Sequence, residues 1–283
     1  MLAINSDIKG WRVRKALGCG GYGVVVIVEK RGVEAALKMT RDSRAVKSFR
    51  VEQLILQQLS VGDGKSFVPT YLDSSFEGHE AFSHPFLIMS LEGESLQDLI
   101  DRQRNGFMSR RETMATGYCI ANAFKYLHRL GYAHQDVKPD NVLISRSQGK
   151  ARMLLTDFGV AANLNKTGVT TGVVVNYDYF YNDSRLMSGS RYTYIDDMGS
   201  LCYIMLQMRK ESRVFRGDAE DRRENRRRLE SGEVKLTWKN AEFQAAVDWV
   251  FRQERRDRYD MPKLPAHDEF IAICRSSPHF QVM

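Results

Sequence analysis

The stretch Tyr132-Ala133-His134-Gln135-Asp136-Val137-Lys138-Pro139-Asp140-Asn141-Val142-Leu143-Ile144 is followed, sixteen residues after Asn141, by Asp157-Phe158-Gly159. Together these two segments carry a complete set of groups for moving a phosphoryl group. Asp136 supplies a carboxylate to orient a hydroxyl and accept its proton, and Lys138 a cation for the phosphoryl in transit. Asn141 and Asp157 supply hard oxygen ligands of the kind magnesium takes. The combination and its order are far more specific than any one of its members.

Upstream, Leu17-Gly18-Cys19-Gly20-Gly21-Tyr22-Gly23-Val24-Val25 fits GxGxxGxV, with Gly18, Gly20 and Gly23 at the three glycine positions. Glycines there let backbone amides approach phosphate oxygens with no Cβ in the way. A dinucleotide-binding turn would open a helix, but the β-branched run Val24 to Val28 follows, so this turn caps a hairpin. Fifteen residues after Gly23, in Ala35-Ala36-Leu37-Lys38-Met39, Lys38 sits on the returning strand, where its ammonium could reach phosphates under the glycines. Glu52, in the helix predicted next, could pair with Lys38 and fix its direction. Taken alone, Glu52 reads first as an ordinary solvated glutamate.

The periodicity divides the chain into two unlike halves. Residues 11 to 40 predict a meander, with a turn at Arg31-Gly32 joining Val24 to Glu29 and Val33 to Met39. Ser48 to Leu59 has a helical pattern, and Phe86-Leu87-Ile88-Met89 reads as another short strand. Beyond Gly93 the pattern turns helical. One helix opens at Ser109 with Glu112 three residues on, a capping box, and closes at Gly131. Apolar helices are predicted from about Met198 to Met208 and from about Ala241 to Phe251. The expected class is α+β: a small β-rich lobe with one main helix, then a larger, mostly helical lobe.

Composition excludes several classes. Of 283 residues, 43% are hydrophobic and 27% are charged, with 42 Lys+Arg against 35 Asp+Glu, which is globular usage and not that of a disordered or fibrous chain. No apolar stretch approaches the ~20 residues of a membrane-spanning helix, and no secretory signal is visible at the start. Cys19, Cys119, Cys202 and Cys274 form no CxxC pair, which fits reduced thiols in cytoplasm or nucleus. The segment from Arg209 to Arg228 holds nine basic and five acidic residues, net +4, and reads foremost as a solvated helix with internal ion pairs.

On these motifs the chain resembles the eukaryotic-type protein kinase family from the glycine turn to the C-terminal helices, which implies one bilobal kinase domain over 1–283. The resemblance implies an N-lobe of about 1–90, a hinge of about 90–93 and a C-lobe of about 94–283. It also implies that Lys38, Asp136 and Lys138 are catalytic and that Asn141 and Asp157 hold magnesium. Gly18, Gly20, Gly23, Val25, Ala36, Lys38, Glu52, Met89, Leu91, Asn141 and Asp157 would bind ATP, with Met89 as gatekeeper of the hinge and Phe158 packed behind the metal. Leu91-Glu92-Gly93-Glu94-Ser95-Leu96-Gln97-Asp98-Leu99 is similar to the hinge segment of the casein kinase I group, and Asp196-Asp197-Met198-Gly199-Ser200 to its long C-lobe helix. No Ala-Pro-Glu follows the activation segment; Thr171-Gly172 and the tyrosines from Tyr177 to Tyr181 stand in its place. The vaccinia-related kinases are a neighbouring branch that fits as well. Asp197 would anchor the catalytic loop from below.

Two departures from the family pattern bear on function. Gln135 stands where most protein kinases have an arginine, and an amide offers no charge to a loop phosphate, so activity without phosphorylation of Thr167, Thr170 or Thr171 is expected. The segment from Asp157 to Thr171 is short and poorly charged, which leaves substrate choice open. Arg222, Arg223, Arg226, Arg227 and Arg228 could accept acidic or phosphorylated protein substrates, although one helix cannot show all five on one face. The expected activity is that of a serine/threonine protein kinase, Lys138 favouring Ser/Thr over Tyr by the same resemblance. The alternative is a nucleotide-binding pseudokinase or scaffold. A small-molecule kinase is disfavoured by Lys138-Pro139, and nucleic-acid binding by the lack of aromatic residues among the arginines.

Overall fold

A computed structural model describes residues 3–20, 23–40, 45–75, 85–103, 107–147, 150–167, 181, 184–187, 192–253 and 264–280. Its first lobe is a six-stranded antiparallel sheet of β1 (Asp7–Ile8), β2 (Trp11–Gly20), β3 (Gly23–Lys30), β4 (Val33–Met39), β5 (Tyr71–Ser75) and β6 (Phe86–Ser90), in the order β1-β2-β3-β4-β6-β5. Lys30 pairs with Val33, so Arg31-Gly32 is a two-residue hairpin loop. Both residues have positive φ, 54° and 79°, the condition of a type I′ turn. Strand alternation then sorts the side chains. Ala35, Leu37 and Met39 of β4 join Val26, Val28, Phe86 and Ile88 in a core on one face. The other face carries Ala36 and Lys38 and is covered by α1 (Val46–Val61), which buries Phe49, Ile55, Leu56 and Leu59.

The second lobe comprises α2 (Leu96–Asp101), α3 (Arg110–Arg129), β7 (Tyr132–Ala133), the hairpin β8 (Val142–Ser147) with β9 (Lys150–Leu155), and β10 (Ala162–Asn163), which pairs with β7. It continues through α4 (Leu164–Thr167), α5 (Ser184–Met187), α6 (Tyr194–Met208), α7 (Ala219–Glu230), α8 (Gln244–Arg252) and α9 (His267–Ser276). The Ser-Leu and Asp-Leu pairs of the hinge segment have a local physical cause. Ser95 N-caps α2, accepting from the Asp98 amide while the Asp98 carboxylate returns to the Ser95 amide. Ser109 and Glu112 cap α3 in the same way, as the sequence predicts.

Helix α6 is the axis of this lobe. It begins at Tyr194, a turn before the expected Met198, because Thr193 and Asp196 form a capping box there. Nearly every residue of it is buried, which hides the face that periodicity looks for. The helix expected from about Ala241 is a 3₁₀ turn, Trp238–Phe243, that passes into α8 at Gln244.

Helix α7 corrects one reading of the arginines. Arg226 is not at the surface: it is fully buried, its guanidinium 4.6 Å from the Tyr203 ring centre and 5.5 Å from that of Phe215. On the same helix Glu230 accepts from the Tyr203 hydroxyl and from the backbone and side chain of Ser184. Thus α7 fastens α5 to α6 as well as facing solvent.

Candidate active site

The pairing register puts the expected nucleotide residues on one face of the first sheet. Val25 lies opposite Lys38, and Ala36 opposite Met89, and directly paired residues point the same way. Gly18 pairs with Val25 and Gly20 with Gly23 on either side of the glycine turn, whose Gly21 and Tyr22 lie outside the described residues. Gly23 has φ of 136°, and a Cβ on it would run into the Met39 carbonyl oxygen, so only glycine fits. Met89, next to last in β6, is buried, and Leu91, just past the strand's end at Ser90, is half-buried where the chain crosses to the second lobe.

Lys38 Nζ lies 2.8 Å from Glu52 Oε2 and 2.8 Å from Asp157 Oδ1. Glu52 is 1% exposed, so its sequence alternative, a solvated glutamate, does not hold. Burial alone would lower the Lys38 pKa, but the Glu52 and Asp157 carboxylates outweigh it and hold the ammonium above its ordinary value. Burial raises Glu52, while Asp157 lies below the usual carboxylate range because Lys38, with His134 and Lys138 behind it, overcomes the same penalty. Phe158 is fully buried and its ring lies 5.2 Å from that of His134.

Across the cleft, Asp136 Oδ2 accepts from Lys138 Nζ at 2.7 Å and from Asn141 Nδ2 at 3.0 Å. Asn141 Nδ2 also donates to the Asp136 carbonyl at 2.8 Å, which fixes the amide and leaves Asn141 Oδ1 on the opposite side. His134 Nδ1 accepts from the Asp136 amide and Nε2 faces the Thr156 carbonyl, tying this loop to the strand that leads into Asp157. Beneath it the Asp197 carboxylate takes the amides of His134 (2.7 Å) and Gln135 (3.1 Å), the Tyr192 hydroxyl (2.7 Å) and His128 Nε2 (2.8 Å). Burial would raise this carboxyl, but its donors, His128 first, hold it below the usual range. Gln135 is in the left-handed region at φ 67°, and neither end of its buried amide has a partner among the described residues.

The sequence did not single out His128, Tyr192 or His267. His128 Nδ1 lies 2.8 Å from His267 Nε2, the first residue of α9. Burial, then His128, with Arg129 and Lys125, pushes the His267 pKa down to about 3 against the Asp268 carboxylate. A histidine depressed in the folded state stabilises fully above its unfolded pKa of about 6.5 and loses that contribution as pH falls toward the folded value, about 1.4 kcal/mol per pH unit. Thermal unfolding between pH 7 and 5 should therefore show stability dropping by about 2 kcal/mol. The drop should shrink in His267→Gln; equal slopes for the two proteins would contradict this placement.

The donor set suits magnesium. Asn141 Oδ1 and Asp157 Oδ2 take no part in the bonds above, and magnesium needs only one or two protein oxygens besides phosphate and water. Among the described residues no group of three or more His, Cys, Asp or Glu could form an all-protein metal cage. Nor is any helix there long and apolar enough to cross a membrane.

The arginines are largely engaged elsewhere. Arg223 pairs with Glu220, Arg227 with Glu224 and Glu233, Arg228 with Glu233, and Arg222 donates to the Gly217 carbonyl. The expected solvated helix with internal ion pairs is what α7 is, Arg226 apart. Thr170, Thr171 and Gly172, and the tyrosines Tyr177 and Tyr179, lie outside the described residues.

Comparison with known proteins extends these observations. The chain is 32% identical over 156 residues to a Caenorhabditis elegans protein named for casein kinase I, covering 53% of this chain and 44% of that one. It is 26% identical over 217 residues to a casein kinase I homolog of Encephalitozoon cuniculi, covering 73% and 64%. With serine/threonine-protein kinase PknK of Mycobacterium tuberculosis it shares 30% over 188 residues, 65% and 16%. The chain thus spans less than two thirds of each of these relatives. The fold matches the structure of vaccinia related kinase 3 with a TM-score of 0.73 at 15% identity, over 100% of this chain and 94% of that one. The family model described as protein kinase domain matches residues 11–270. A match running from the second strand to the last helix, over the fold just described, means that this chain belongs to the protein kinase family.

Proposed function

We propose that the chain is a serine/threonine protein kinase that transfers the γ-phosphoryl group of ATP to protein hydroxyls. The observation that carries this is the bonded set Asp136-Lys138-Asn141 facing the Lys38-Glu52-Asp157 triad. Asp136 Oδ2 is occupied by Lys138 and Asn141, so Oδ1 is the atom to receive a substrate hydroxyl proton. As the hydroxyl oxygen bonds to the γ-phosphorus, the bond to the β–γ bridging oxygen breaks, ADP departs and the proton passes to Asp136. Lys138 follows the charge on the moving phosphoryl, and Lys38 holds the phosphates that remain. Asn141 and Asp157 would hold magnesium, which supplies charge neutralisation to the phosphates. The free thiols of Cys119, Cys202 and Cys274 suit a reducing compartment, cytoplasm or nucleus.

Turnover does not depend on a phosphorylated activation segment in this reading, because Gln135 lacks the charge to read one. The test is transfer of labelled γ-phosphate by phosphatase-treated protein to casein and to a basic protein, repeated with Thr167, Thr170 and Thr171 all changed to alanine. Labelled serine or threonine at wild-type rates in the triple variant is expected, and loss of activity there would refute loop independence. The casein-to-basic ratio reads acceptor preference. Nucleotide binding with no transfer to either protein would favour a scaffold.

A further inference from the structure

If no phosphate orders the site, something else must hold α1 and the 157–159 turn together. One face of α1 binds Phe158 and Gly159 directly and reaches Asp157 through Lys38. Glu52 pairs with Lys38, which also holds Asp157, and Glu52 accepts the Phe158 backbone N–H. One helical turn earlier, on the same face, Ser48 Oγ donates to the Gly159 carbonyl at 2.6 Å. The fit is close: a Cβ on Gly159 would lie 2.5 Å from Ser48 Oγ. Ser48 is in the first turn of α1, where an amide-rich helix start leaves a hydroxyl free to serve a neighbouring segment instead of an interior carbonyl.

We propose that Ser48 is a positioning residue: its hydroxyl latches α1 onto Gly159 and keeps Lys38, Glu52 and Asp157 assembled without a phosphate on the activation segment. The proposal rests on the kinase reading above. The latch touches neither nucleotide nor acceptor, so it acts on the fraction of molecules with the triad assembled. Its loss should lower kcat and leave the acceptor KM unchanged. In this proposal the assembled state is the minor one in solution without nucleotide, so losing a net hydrogen bond of this kind lowers its population, and kcat with it, by about three- to tenfold.

The experiment compares phosphatase-treated wild type, Ser48→Ala and Ser48→Thr. Each is measured for kcat and acceptor KM with casein, for thermal stability, and for hydrogen exchange at the amides of 157–161. Expected are a three- to tenfold lower kcat and faster exchange in Ser48→Ala, with unchanged KM and melting temperature, and recovery of both kcat and exchange in Ser48→Thr, which keeps the hydroxyl. A kcat for Ser48→Ala within twofold of wild type, or no recovery in Ser48→Thr, overturns the latch. If treated wild type transfers nothing, loop-independent turnover fails, and the exchange rates alone then decide the latch: equal exchange in wild type and Ser48→Ala overturns it.

Discussion

Asp136→Asn should lower turnover by about 10²–10⁴-fold while leaving the dissociation constant for magnesium-ATP within a few-fold of wild type. The asparagine is nearly isosteric and can still accept from Lys138 Nζ through its carbonyl oxygen. What it cannot do is take a proton from the acceptor hydroxyl. Labelled γ-phosphate transfer together with nucleotide titration checks both halves. Turnover that survives the change would move the proton acceptor elsewhere. A parallel loss of nucleotide binding would make Asp136 a structural residue.

The largest expected effect on stability belongs to Asp197→Ala. Four donors converge on that carboxylate from three places: the loop amides of 134 and 135, Tyr192 before α6, and His128 on α3. All are buried, so removing the acceptor strands them without water. A loss of about 3–5 kcal/mol in denaturant unfolding is expected, against about 1 kcal/mol for Tyr192→Phe, which removes a single donor. A cost for Asp197→Ala no greater than that of Tyr192→Phe would show that the loop is held by other means. Because the carboxyl is depressed in the folded protein, its contribution is present above the unfolded carboxylate pKa and disappears as pH falls through the folded value.

Much of this site was legible in the sequence because its members lie in short runs with local causes. Asp136, Lys138 and Asn141 share one loop, and a side chain five residues away can reach back to its neighbour without help from the rest of the fold. Gly23 reads correctly because the constraint on it is steric and close at hand. Glu52 was ambiguous for the opposite reason: its partners, Lys38 and the Phe158 amide, are 14 and 106 residues distant, and a buried glutamate looks like an exposed one in a string of letters. His267 and Ser48 gave no signal at all, since what matters about each is a contact 139 or 111 residues away. The start of α6 at Tyr194 was missed because a helix with nearly every residue buried offers no single apolar stripe to count from, and Arg226 was misplaced because arginine so seldom enters a core.

The Arg31-Gly32 loop sets the phase of the whole nucleotide face. Two residues with left-handed backbones close the hairpin, and every second side chain of β4 thereafter points at the cleft. An insertion or deletion of one residue between Arg31 and Lys38 that kept the strand paired would turn the lysine into the apolar core and present Leu37 or Met39 to the phosphates. Point substitutions on this strand can be graded, but a change of length is all or nothing. The hairpin is thus a counting device: the chemistry at Lys38 depends on an odd-or-even condition fixed six residues earlier.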